Sequence, residues 1–162
     1  MEISLFTKCL FEFIGTLVLV LLGDGVVAST VLKRSKGFDG GWIVITIAWG
    51  LAVMCGVLIA GPYSGAHLNP AVSVGLAVAG SFPWAYVPGY VAAQLLGGFC
   101  GAVVVYLYYK DHFDATDDPA AKLGVFCTMP AIMDKPRNLF CEVVGTFLLV
   151  FVILAIGNEQ NT

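Results

Sequence analysis

An Asn-Pro pair stands near the middle of the chain, in "GPYSGAHLNPAVSVGLAVAG" (61–80), and its chemistry is first of all local. Asn69 has the side chain of a good helix N-cap. Pro70 suits the first helical position, where a missing N–H does no harm. The Asn69 amide can donate as well as accept. Few other side chains offer chemistry. Glu12 and Glu142 are ionisable residues inside long apolar runs, an expensive placement that marks function or bracing. His67 has no second His, Cys or acid at ligand spacing, so it fits a loop-fixing hydrogen bond better than a metal. Trp49 lies inside an apolar run, away from the ends where interface-anchoring aromatics gather. Asp24 follows Gly23 near the end of another run and is expected in solvent. Neither Glu has a His or Ser partner nearby in sequence, so no catalytic constellation forms, and no cofactor is expected.

The elements that must position these residues are apolar helices. Hydrophobic residues make up 59% of the 162 and charged ones 12%, against about 45–50% and about 25% in soluble domains, which describes an integral membrane chain. The formal charge of −3 comes without a basic cluster, so nucleic acid is excluded as a partner. The 5 cysteines are scattered with no CxxC pair and read as small apolar residues. A spanning helix needs about 20 apolar residues, and four runs qualify: Cys9 to Leu32, Trp42 to Ala60, Tyr86 to Tyr109 and Leu139 to Ile156. The first also resembles a signal peptide, with Lys8 ahead of it and "VVAS" behind, but Glu12 argues against that. "KRSKGFDG" (33–40) is a short basic connection, and 110–137 a long polar loop or folded-over flap. Gly97 and Gly101 have the small-xxx-small spacing of close helix packing.

Two features organise these runs. "LFEFIGTLVLVLLGDG" and "LFCEVVGTFLLVFVILAIG" share a pattern in which Glu12, Gly15 and Thr16 recur as Glu142, Gly145 and Thr146. Three spans separate the two starts, so the second copy enters from the opposite membrane face, as in the inverted repeats of transport proteins. The same offset places a second Asn-Pro beyond Thr162, so the domain expectation is a first repeat over 1–138 and the start of a second over 139–162. The other feature is 61–80 itself. Gly61, Pro62 and Gly65 oppose a continuous helix, and irregular backbone at membrane depth survives only where protein buries it or water reaches it. The segment is therefore expected to dip into the membrane and return as a half-helix over 69–80. Its 11 residues from Pro70 would span about 16 Å, half a bilayer. An interfacial hairpin with Asn69 as a plain cap is the simpler alternative.

"SGAHLNPAV" resembles the first signature of the aquaporin superfamily. Together with "EFIGT", "IAWGLAV" and "TDDPAAKLGVF" it is similar to the bacterial glycerol uptake facilitators, over nearly the whole chain. The resemblance implies an all-α membrane protein, an aquaporin-like inverted-repeat bundle with a re-entrant loop and half-helix. The first repeat and the fourth spanning helix would be present here. It further implies a multi-pass protein of the bacterial cell membrane, homotetrameric with one pore per subunit. That pore would pass glycerol and small polyols, with water as co-permeant. The carbonyls of Gly65, Ala66, His67 and Leu68 would form an acceptor ladder along it. Asn69, with Pro70 and Ala71 completing the signature, would donate to the solute. Trp49 would give the carbon backbone of the solute an apolar wall. The dipole of the half-helix would repel cations and protons. Glu12 and Glu142 are expected to accept N–H bonds from two re-entrant loops, with proton relay as the alternative. A water-selective pore, which would usually carry a polar residue in place of Trp49, is the nearest rival. An ion-coupled secondary transporter and a non-catalytic membrane subunit are the rivals from other classes.

Overall fold

A computed structural model describes residues 3–157, which are helical with no strand among them. In chain order the helices are α1 (Leu5–Val31), α2 (Gly41–Ser64), α3 (Pro70–Val78), α4 (Val87–Tyr108), α5 (Lys110–Ala115), α6 (Pro119–Gly124) and α7 (Lys135–Ile156). A 3-10 turn, Trp84–Tyr86, leads into α4. α1, α2, α7 and the stretch Trp84–Tyr108 are each long and apolar enough to cross a membrane. The protein is an integral membrane protein.

α1 is the centre of the bundle, with α2 packed on one side and α4 on the other. Small residues permit both approaches. A Cβ on Gly97 would fall inside van der Waals contact of the Phe13 carbonyl oxygen, and one on Gly101 would lie 2.7 Å from the Leu17 carbonyl oxygen. Helix backbones in direct contact maximise dispersion where lipid supplies no hydrophobic drive between helices. α3 lies against α4 and α7.

The connection 110–137 folds over one end of the bundle and contains two short helices that its polar composition hides. Asp118 caps α6 by accepting the Ala120 N–H at 2.9 Å, with Pro119 at the first position. The Thr116 hydroxyl accepts the Lys33 N–H at 2.9 Å, tying this flap to the end of α1. Phe113 and Val125 bury themselves there with Ala28, Leu32 and Val105.

Three local expectations are corrected. α2 does not break at Gly61 or Pro62 but continues to Ser64. So close to the helix end Pro62 forfeits a single backbone bond, and Tyr63 stacks on Phe11 of α1 with ring centroids 3.7 Å apart. The stop comes at Gly65, whose φ of 85° is free only to glycine and whose N–H closes on the Gly61 carbonyl at 3.1 Å. The half-helix is shorter than 69–80. Gly80 turns left-handed at φ 78°, and the Ser81 N–H bonds back to the Leu76 carbonyl at 2.9 Å, ending α3 at Val78. Nine residues at about 1.5 Å each make about 13.5 Å. Asp24 does not stand at a helix end in open solvent: α1 runs seven residues past it, and it is only 9% exposed.

Candidate functional site

The segment from Gly65 to Leu68 joins the end of α2 to the start of α3, and its backbone is unusual. Ala66 and Leu68 hold φ of 51° and 52°, in the left-handed region that costs a residue with a side chain of order 1 kcal/mol. The segment is therefore not the plainly extended strand that would suffice for a carbonyl ladder. Something must hold it, and the Glu12 carboxylate does. Oε1 accepts the His67 N–H at 2.9 Å and Oε2 the Leu68 N–H at 2.7 Å. Oε1 also accepts the Ser64 hydroxyl at 2.6 Å, and Oε2 the Gln94 amide at 2.8 Å. A carboxylate offers about four acceptor positions. All four are taken, on a side chain with no exposed surface. Charge-assisted bonds of this kind are among the strongest a protein makes.

That bracing fixes where the carbonyls point. In a planar trans peptide the N–H and the preceding C=O lie on opposite sides. With the His67 and Leu68 N–H groups both turned to Glu12, the Ala66 and His67 carbonyls face away from α1. Further bonds stiffen the arrangement. The Ser64 hydroxyl accepts the Ala66 N–H at 3.1 Å, and the Tyr90 hydroxyl donates to the Ser64 carbonyl at 2.7 Å. His67 Nδ1 lies 2.9 Å from Ser73 Oγ, to which the Gln94 amide also donates at 3.0 Å. His67 thus ties the loop to α3, with Phe82 edge-on to its ring at 4.4 Å.

Asn69 caps α3, its side-chain oxygen accepting the Ala71 N–H at 2.8 Å. The side-chain NH₂ makes no hydrogen bond among the described residues and is half-buried at the positive end of the half-helix. Pro70 occupies the first helical position and Ala71 the next. Trp49 is elsewhere. Its indole lies flat on Gly23 of α1, close enough that a Cβ there would be 2.6 Å from the ring. The ring lines a cavity of about 810 Å³ bounded by α1, α2 and the α6 end of the flap. Glu142 is exposed on α7, and no loop of the described residues reaches it.

The sequence alone left Ser64, Ser73, Tyr90 and Gln94 unmarked. A signal existed for Gln94, a polar residue inside an apolar span. Its use is set by an acid 82 positions earlier, which spacing does not reveal.

The family model described as Major intrinsic protein matches residues 1–162. Among curated relatives, the probable glycerol uptake facilitator protein of Thermotoga maritima is 57% identical over 93% of this chain and 64% of its own length. The glycerol uptake facilitator protein of Bacillus subtilis is 52% identical over 93% of this chain and 55% of its own. Glycerol uptake facilitator protein 3 of Lactiplantibacillus plantarum is 52% identical over the whole chain and 68% of its own. The chain thus spans between 55% and 68% of these relatives. The X-ray structure of the aquaglyceroporin from Plasmodium falciparum superimposes with a TM-score of 0.66 at 39% identity, over 72% of this chain and 48% of its own. A loop held by a buried carboxylate, a half-helix opening on Asn-Pro, and a family match along every residue converge on one assignment: the chain belongs to the major intrinsic protein family.

Proposed function

We propose that this chain lines a passive membrane channel for glycerol and related small neutral polyols, with water as co-permeant. The observation that carries the proposal is the loop 65–68, where Glu12 turns the Ala66 and His67 carbonyls away from α1 beside the unused amide donor of Asn69. A polyol leaving water needs both acceptors and donors in a row to replace its hydration. The carbonyls of Gly65, Ala66, His67 and Leu68 supply the former and Asn69 the latter. Pro70 and Ala71 start the half-helix whose dipole disfavours cations and protons at the same point. The names of the three bacterial relatives support glycerol as the solute. Glu142 is the counterpart of Glu12 and braces a second loop. The protein sits in the bacterial cell membrane as a homotetramer.

The test is flux into proteoliposomes made with the protein expressed from its own gene. Downhill glycerol entry at the same rate with and without a sodium or proton gradient is expected. A gradient requirement would replace the channel with a coupled transporter. Trp49 is the apolar wall in this reading, so Trp49→His should lower glycerol flux roughly tenfold while water flux changes far less. If stopped-flow traces of a correctly assembled variant show both fluxes unaltered, the wall lies elsewhere.

A further inference from the structure

Gln94 carries an oxygen that nothing serves. Its Oε1 is buried with no hydrogen-bond partner among the described residues, while its amide nitrogen donates twice, to Glu12 Oε2 at 2.8 Å and to Ser73 Oγ at 3.0 Å. A buried carbonyl left unpaired is costly, so the orientation of the amide is imposed from outside. Glu12 imposes it. A fully buried carboxylate that takes four donors can only accept, and turning Oε1 toward it would set two acceptors face to face. The amide nitrogen therefore points at Glu12 with one hydrogen and at Ser73 with the other.

The direction of that bond passes on to the next group. Ser73 Oγ, itself fully buried, accepts from Gln94 and has a single hydrogen to give. Two acceptors stand within reach. His67 Nδ1 lies at 2.9 Å, whereas the Asn69 carbonyl lies at 3.4 Å and already takes the Ser73 N–H at 3.1 Å. The nearer acceptor, with no other donor, takes the hydrogen. A neutral imidazole carries a proton on one nitrogen and a lone pair on the other, so a lone pair on Nδ1 leaves the proton on Nε2. We infer that Gln94 and Ser73 are positioning residues which, oriented by the Glu12 carboxylate, fix the His67 ring in the tautomer protonated on Nε2. Nε2 makes no hydrogen bond among the described residues, and the ring is half-buried. The ring then offers a donor two residues before Asn69, a consequence that rests on the channel reading above, whereas the tautomer itself does not. The chain of bonds also orients without conducting. An amide gives up no proton at neutral pH, so Gln94 interrupts any path from Glu12 through Ser73 to the ring.

The experiment is nitrogen NMR of protein expressed from its own gene with isotopically labelled histidine and reconstituted in lipid at about pH 8, above the usual range of imidazole titration. The His67 signals are those lost in His67→Gln. A proton bonded directly to Nε2 and none to Nδ1 is expected. Ser73→Ala removes the hydroxyl and should shift the Nδ1 resonance toward that of an unbonded nitrogen, while Ser73→Thr keeps the hydroxyl and should hold it near the wild-type position. A proton on Nδ1, a doubly protonated ring, or an Nδ1 resonance that Ser73→Ala leaves in place would each overturn the assignment. The wild-type spectrum decides on its own if Ser73→Ala does not assemble. Glycerol flux plays no part in this readout, so a failure of the tautomer and a failure of the channel reading are seen separately.

Discussion

Glu12→Ala should leave no stably folded protein to assay. The substitution removes an acceptor from four donors at once, on Ser64, His67, Leu68 and Gln94, and leaves the His67 and Leu68 N–H groups with no other partner among the described residues. Each costs about 1–3 kcal/mol when unsatisfied. With the cavity left by the missing side chain added, the loss takes most of the stability of an ordinary domain, about 5–15 kcal/mol. Glu12→Gln is milder, since its amide oxygen serves about two donors while its NH₂ meets the others as a like group. A loss of about 3 kcal/mol would lower the melting temperature by about 6–12 °C. Size-exclusion profiles and thermal melts in detergent read both outcomes. A Glu12→Ala protein that elutes as a single sharp species and melts like wild type would show that the loop is held by something else. If wild-type glycerol flux depends on pH and the dependence vanishes in Glu12→Gln, the relay role gains instead.

The second large effect contrasts neighbours. Gly97→Ala pushes a methyl into the Phe13 carbonyl of α1, and rigid backbone cannot yield as a side chain would. Overpacking of this kind costs about 1–3 kcal/mol, and the α1–α4 crossing must open to relieve it. At Gly98, one residue on, a Cβ meets only side-chain methyls at 3.8 and 4.0 Å, ordinary contact. Gly97→Ala should therefore melt about 5 °C or more below wild type and Gly98→Ala within about 2 °C of it. Equal shifts would mean that the two helices are not packed backbone to backbone.

What the sequence makes legible here is what depends on neighbours in the chain. Asn69-Pro70 announces a helix start because capping is settled within three residues, and the four spans announce themselves by length and apolarity. Gly97 and Gly101 show a packing face through their spacing alone. Pro62 misleads because a breaker's cost depends on how many helical bonds remain beyond it, and here Gly65 closes the helix three residues later. Asp24 misleads because the end of its apolar run is not the end of its helix, and because α6, far along the chain, helps enclose its cavity. Gln94 and Tyr90 stay hidden for the same reason: Gln94 meets its partner on α1 and Tyr90 its partner on α2 only when the helices have come together.

The distances along the chain between Glu12 and its donors also order events during synthesis. Its bonding partners follow by 52, 55, 56 and 82 residues. α1 must therefore enter the bilayer with its carboxylate unserved, dependent on water or a borrowed proton. The carboxylate that holds 65–68 has its full set of donors only once Gln94 has emerged from the ribosome on α4. The re-entrant loop is thus a late event, settling from the aqueous side only once three transmembrane segments have assembled, and an arrest of translation before α4 should leave it accessible to water-soluble thiol reagents at an introduced cysteine.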